Sequence, residues 1–179
     1  MPEDTPLLDA AIRLDNLPTN GRVLEVAATP EQRERLAERL HIEGVAALTA
    51  KLEARPFRDG IRVRGKLTAT VSQSCVVTFE PVTETIDESI DRIFLPGQED
   101  RYSGPAGAEV FVDLEGDDMP DYFEGPEVDF TELLIETLSL ALNPFPRAEG
   151  AEPVEIVEDS GENDASPFAQ LKDLKTTRD

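Results

Sequence analysis

Leu48-Thr49-Ala50-Lys51-Leu52-Glu53-Ala54-Arg55 and, beyond Arg58-Asp59-Gly60, Ile61-Arg62-Val63-Arg64-Gly65-Lys66-Leu67-Thr68-Ala69-Thr70-Val71 form the stretch that decides the fold. Apolar residues alternate strictly with polar ones in both runs. Side chains on a strand point to opposite faces in turn, so a period of two marks strands buried on one side and solvated on the other. Asp59-Gly60 between them reads as a hairpin turn, because this dipeptide tolerates the positive φ angles of a type I′ turn. The hairpin is expected over 45–71. A third strand is predicted from Gln73 to Phe79, turning at Glu80-Pro81, and a fourth from Glu84 to Leu95, stopping at Pro96. Together they describe an antiparallel meander with signature strands over 72–96.

Upstream, Leu7 to Leu14 and Arg22 to Ala27 have strand character, separated by turn residues Asn16 to Gly21. Thr29 is a good N-cap, Pro30 fits the first helical position, and Gln32 completes a T-x-x-Q capping box. Leu36, Ala37 and Leu40 form the apolar stripe of that helix, which Gly44 is expected to end. Downstream, residues 97–128 are rich in Gly, Pro, Asp and Glu and read as an acidic loop, interrupted by one short strand at Glu109 to Leu114. Asp129-Phe130-Thr131-Glu132 then opens a second helix over 129–143 with a D-x-x-E box. Phe130, Leu133, Leu134, Leu138, Ala141 and Leu142 recur at helical spacing. Ile135 and Leu140 widen the stripe, so this helix should be nearly enveloped. Asn143-Pro144-Phe145-Pro146 ends it. Two sheet-forming runs with segregated helices predict an α+β fold: a twisted antiparallel meander or partial barrel covered by two helices. One domain is expected over 1–147. Residues 148–179 follow as an acidic linker and a short amphipathic end carrying Phe168, Leu171 and Leu174.

Charge is divided unevenly along the 179 residues. Residues 1–71 hold eleven Lys/Arg and eleven Asp/Glu, leaving six against 27 beyond them, which is the whole of the net −21. Such an asymmetry points to an interaction or assembly protein rather than an enzyme. One cysteine, Cys75, and one histidine, His41, allow neither an internal disulfide nor an ordinary Cys/His zinc site. The acidic start Met1-Pro2-Glu3-Asp4 has no apolar core segment, and no apolar run nears the roughly 20 residues that span a bilayer. A cytoplasmic protein with no membrane contact, no cofactor and no small-molecule substrate is the expectation. Glycine-rich phosphate loops, G-x-S-x-G and H-E-x-x-H are all missing from the sequence.

From Gln73 onward a family resemblance emerges. Gln73-Ser74-Cys75-Val76-Val77-Thr78-Phe79-Glu80-Pro81-Val82 resembles the signature of the YceD family, the large ribosomal RNA subunit accumulation proteins, approximately C-x-x-C-L-E-P-[VM]. Cys75 takes the first cysteine position, Thr78 replaces the second, and Glu80-Pro81 is intact. Ile93-Phe94-Leu95-Pro96 looks like the family's F-x-P strand end. Asp129 through Pro144 is similar to its D-L-x-E-L-x-x-E-x-L-x-L-x-L-P helix. Asn163 through Leu171 looks like the N-P-F-A-x-L tail common in alphaproteobacterial members. The likeness covers about residues 5–175. Thr78 removes the metal option that members with more cysteines have. The resemblance implies a role in 23S rRNA accumulation or processing during large-subunit biogenesis, and it carries over no catalytic residue.

Local features each admit two readings. Lys51, Arg55, Arg62, Arg64 and Lys66 share the polar face of the hairpin and are suited to RNA phosphates. That face is equally a solvated one paired with the chain's own carboxylates; Glu53 sits among the cations, and no aromatic residue interleaves for base stacking. The acidic segments, with Glu115, Asp117, Asp118 and Asp121 clustered, suit a basic ribosomal protein, or serve only as solubilising linkers. A divalent cation there is the lesser reading, since the spacing lacks the Gly and distal Glu of an EF-hand loop. Cys75 reads as a small buried hydrophobe ahead of a nucleophile, and His41 as a residue at a helix C-terminus. The functional expectation is a non-enzymatic ribosome-biogenesis factor supporting 23S rRNA accumulation or processing in large-subunit assembly, with any RNA contact carried by the hairpin face. The alternative is an acidic chaperone or adaptor for a basic ribosomal protein without RNA contact, with a carboxylate-dependent metal hydrolase a distant third.

Overall fold

Hairpin pairing organises the molecule. In the computed structural model, which describes residues 6–15, 17–97 and 120–151, strands β3 (Gly44–Phe57), β4 (Gly60–Ser74) and β5 (Pro81–Pro96) are 14, 15 and 16 residues long and pair antiparallel in sequence order. Strand β2 (Arg22–Ala27) joins β3 antiparallel, and β6 (Asp121–Phe123) joins the far end of β5 in parallel. The result is an open five-stranded sheet in the order β2-β3-β4-β5-β6. Strands β1 (Ala11–Arg13) and β7 (Glu127–Asp129) make a separate antiparallel pair. Helices α1 (Pro30–Leu40) and α2 (Thr131–Ala141) complete the α+β fold.

The alternating pattern settles which side is core. Leu48, Ala50, Leu52 and Ala54 of β3, Ile61, Val63, Leu67, Ala69 and Val71 of β4, and Ile86, Ile90 and Phe94 of β5 are buried against Leu36 of α1 and Leu134 and Leu138 of α2. Gly65 lies opposite Leu52, and a Cβ there would come within 2.1 Å of the Lys51 carbonyl oxygen, so only glycine lets the strands approach over that leucine. Phe94 packs edge-on to Phe130 with ring centroids 5.3 Å apart, tying β5 to the start of α2.

Helix α1 begins as expected. The Thr29 hydroxyl accepts the Gln32 backbone N–H at 3.3 Å, and the Gln32 side-chain oxygen accepts the Thr29 N–H at 2.9 Å. Its end differs. His41, with φ 54°, takes the left-handed position, while the Ile42 and His41 amides close back onto Ala37 and Glu38 in a Schellman-type turn. Gly44 instead opens β3.

Four other expectations are corrected. The hairpin loop is Arg58-Asp59, with the positive φ of 51° on Arg58; Gly60 already belongs to β4 and pairs with Phe57. Its glycine is needed because β5 crowds it: a Cβ would lie 1.9 Å from the Phe94 carbonyl oxygen. No separate strand runs from Gln73 to Phe79. Strand β4 continues to Ser74, and residues 75–80 turn back, the Cys75 amide donating to the Glu80 carbonyl and the Phe79 amide to the Cys75 carbonyl. Helix α2 has Phe130 at its N-cap with no side-chain cap bond. Asp129 accepts the Thr131 amide at 2.8 Å, and Glu132 leaves the helix end to pair with Arg39 of α1 at 2.7 Å. Finally, α2 is not enveloped, because Leu140 is 76% exposed. The strand expected at Glu109 to Leu114 and the segment with Phe168, Leu171 and Leu174 lie outside the described residues.

Candidate nucleic-acid interface

The outer face of the sheet collects the basic residues. Pairing between β3 and β4 sets Lys51 opposite Lys66, Glu53 opposite Arg64 and Arg55 opposite Arg62. Two of these rows place like charges face to face, which is unfavourable by itself. Carboxylates on the same or flanking strands offset it. Glu25 of β2 reaches Lys51 at 3.1 Å, and Glu53 reaches Arg55 at 2.7 Å. Asp87 of β5 reaches Lys66 at 2.7 Å. Asp91 of β5 takes both Nε and Nη2 of Arg62, at 2.7 and 2.9 Å, and Nε of Arg64 at 3.0 Å. The Arg62 guanidinium first holds the Asp91 carboxyl below its usual value, burial opposes it next, and the Arg64 guanidinium adds to the lowering.

Each of the five cations therefore has a carboxylate of this chain within 3.1 Å. Their side chains nonetheless stay 30–70% exposed. Exposed pairs of this kind contribute about 0–1 kcal/mol each, so exchanging a carboxylate for a phosphate is energetically cheap. Five cations against the four carboxylates Glu25, Glu53, Asp87 and Asp91 leave the patch close to neutral. Any RNA contact made here acts at short range rather than through long-range attraction.

Sequence reasoning missed an aromatic group. Phe57 continues the Lys51, Glu53, Arg55 row by the same period of two, at the hairpin end of the face. The Arg58 and Arg62 guanidinium carbons lie 5.0 and 5.9 Å from its ring centroid. Glu53, Arg55, Pro56, Phe57, Arg62 and Arg64 line a cleft of about 380 Å³. A planar ring beside several guanidiniums can stack on a base and bind its phosphate. Counting the alternation two residues past Arg55 would have found it.

The acidic cluster is only partly visible. Asp121 sits in β6, where burial first, with Glu136 adding, raises its carboxyl against the opposing Arg92. Glu115, Asp117 and Asp118 lie outside the described residues.

Cys75 closes the turn after β4. Its buried sulfur accepts amide N–H groups from Val77, Thr78 and Ala148 at 3.4, 3.3 and 3.3 Å. The Thr78 hydroxyl first, then the Thr78 and Ala148 amides, pull the thiol down to about 6 while burial opposes them. Thr78 thus occupies the second position of the C-x-x-C pattern as a hydrogen-bond partner of the first. His41 lies at the same end of the molecule, lining a surface hollow with Gln73, Ser74 and Pro146. Among the described residues no helix is long and apolar enough to cross a membrane.

Comparison with known proteins agrees with the signature residues around Cys75, Phe94 and α2. No curated protein and no solved structure matches the chain. A family model described as large ribosomal RNA subunit accumulation protein YceD matches residues 63–175, from within β4 to beyond α2, and the chain therefore belongs to the YceD family.

Proposed function

We propose that this YceD member, whose family role is accumulation of large-subunit ribosomal RNA, acts in large-subunit biogenesis without catalysis, by holding 23S rRNA on the outer face of its sheet. The observation that carries this reading is the cleft where Phe57 lies beside Arg55, Arg62 and Arg64. Exposed guanidiniums in weak internal pairs are available for phosphates, and the ring supplies a stacking surface. The non-catalytic part rests on chemistry: the thiol, the most nucleophilic group in the described structure, is fully buried at Cys75. The test is RNA retention by the full chain, measured by fluorescence anisotropy with labelled single-stranded 23S rRNA segments across a salt series. Arg62→Glu with Arg64→Glu should weaken binding at least tenfold and flatten its salt dependence. Unchanged retention refutes the contact.

The second reading is an acidic adaptor for a basic ribosomal protein in cytoplasmic assembly. One observation favours it. Glu84 and Glu88, exposed on β5, make no ion pair among the described residues, unlike the carboxylates of the outer face. A tagged pull-down with and without RNase separates the two readings, since only the adaptor keeps its partner after RNA is destroyed.

A further inference from the structure

We infer that the edge of β5 left open among the described residues, with the groove between it and α2, is a docking strip for an extended basic segment of a partner protein, which adds to the sheet as a further strand. The inference rests on the adaptor reading and gives it a surface.

Strand β5 pairs with β4 along nearly its whole length, from Pro81 opposite Ser74 to Phe94 opposite Ile61. On its other side, among the described residues, only Phe94, Leu95 and Pro96 have a strand partner, β6. The Gly97 amide donates to the Phe123 carbonyl, so odd-numbered residues direct their backbone groups toward that side. By the alternation of a strand, Thr83, Thr85, Asp87, Ser89 and Asp91 turn their N–H and C=O groups to the open edge. That is a nine-residue template whose outward backbone groups have no strand partner among the described residues, the setting in which an extended peptide adds a strand.

The groove gives such a strand a place for side chains. It measures about 500 Å³ and runs between Glu88, Ile90 and Arg92 of β5 and Leu133, Thr137, Leu140 and Ala141 of α2. Leu140, 76% exposed, stands at its mouth. Every second side chain of an added strand would enter this groove and meet apolar surface. The intervening ones would lie on the outer face, where Asp87 and Asp91 are held by Lys66, Arg62 and Arg64 only in exposed pairs worth about 0–1 kcal/mol each, while Glu84 and Glu88, unpaired among the described residues, border the groove side. An alternation of apolar residues with Lys or Arg meets both requirements.

Charge selects among occupants. Asp87 and Asp91 are already paired with Lys66 and with Arg62 and Arg64, so the selecting charge is that of Glu84 and Glu88, and a second copy would bring the same two carboxylates toward them, an unfavourable approach of like charges. The chain's own residues 98–119 carry seven Asp/Glu against one Arg, with the same consequence. A basic partner is attracted instead.

The test uses the full chain and a capped, fluorescein-labelled decapeptide of alternating Leu and Lys. Two versions are N-methylated at alternate residues, one in each phase, and a third carries Glu in place of Lys. Anisotropy should show binding of the parent and of one methylated phase, and at least tenfold weaker binding of the other phase and of the Glu peptide. Ser89→Pro removes only an outward-facing N–H and should weaken binding at least tenfold. Leu140→Ser, at an exposed position, should weaken it at least threefold with the thermal midpoint unchanged. Hydrogen exchange should show the Thr85, Asp87 and Ser89 amides fast in the free chain and slowed by peptide. The inference is overturned if both methylated phases bind alike, or if those amides are already slow in the free chain, meaning that a second copy or the chain itself fills the edge. It is equally overturned if Ser89→Pro releases labelled RNA rather than the peptide. Retention of a basic ribosomal protein by Ser89→Pro would leave the adaptor reading intact and remove only this surface. Loss of that protein from wild type, with peptide binding as expected, would do the reverse.

Discussion

Replacing Asp91 by Asn removes with one change the carboxylate that two guanidiniums share. The carboxylate holds Arg62 through two hydrogen bonds of 2.7 and 2.9 Å and Arg64 through one of 3.0 Å. Its own side chain is 44% exposed, so solvent screens both pairs and the combined loss is about 1 kcal/mol rather than the several expected of a buried network. For a chain of this size that corresponds to about 2–4 °C in the thermal midpoint. The sign with pH follows from the lowered carboxyl. A group whose folded value lies below its unfolded value contributes fully above the unfolded value, here 3.8, and loses its contribution as pH falls through the folded one. Melts of wild type and Asp91→Asn should therefore differ at pH 7 and converge in acid below the ordinary carboxylate range. On RNA the same change should act in the opposite direction. Each guanidinium released from Asp91 that takes a phosphate of single-stranded RNA should steepen the plot of log Kd against log salt by about 0.7, with tighter binding at low salt. A stability gap that persists in strong acid would show that something other than the ion pairs was lost. Weaker RNA binding with an unchanged slope would show that Arg62 and Arg64 do not meet phosphates.

Three further outcomes are expected. Leu134→Ala removes a fully buried side chain between α2 and the sheet and should cost about 2–5 kcal/mol in chemical denaturation. Thr29→Ala deletes the cap on α1 and should cost about 1 kcal/mol, with Thr29→Ser restoring most of it. Cys75 should resist alkylation in the native chain, where it is buried, and react at once in denaturant. Since its folded thiol value is lowered to about 6, its contribution to stability should rise with pH from there toward the unfolded thiol value near 9, so Cys75→Ala should be more destabilising at pH 8.5 than at pH 6.

Much of the site was legible because its signals are local. A period of two names the residues that share a face wherever the strand sits, so Lys51, Arg55, Arg62, Arg64 and Lys66 could be grouped before any coordinates. Phe57 belongs to the same alternation and escaped only because the count stopped at the turn. The carboxylates were another matter. Asp91 lies 29 residues from Arg62, and no spacing rule connects them; their contact needs β5 placed beside β4 in one particular register. The α2 start shows the converse error. Asp129 and Glu132 stand at capping-box spacing, yet Phe130 is buried in the core against Phe94 of β5, and Glu132 finds Arg39 instead.

The amino-acid sequence alone determined the meander, its buried and solvated faces and the capped first helix, because alternation and capping act between residues a few positions apart. Tertiary structure decided where the turns fall, which carboxylate neutralises which cation, and that one long edge of β5 stays unpaired among the described residues. Those outcomes depend on how strands distant in sequence meet, which the β3-β4-β5 register and the packing of α1 and α2 on the sheet set together.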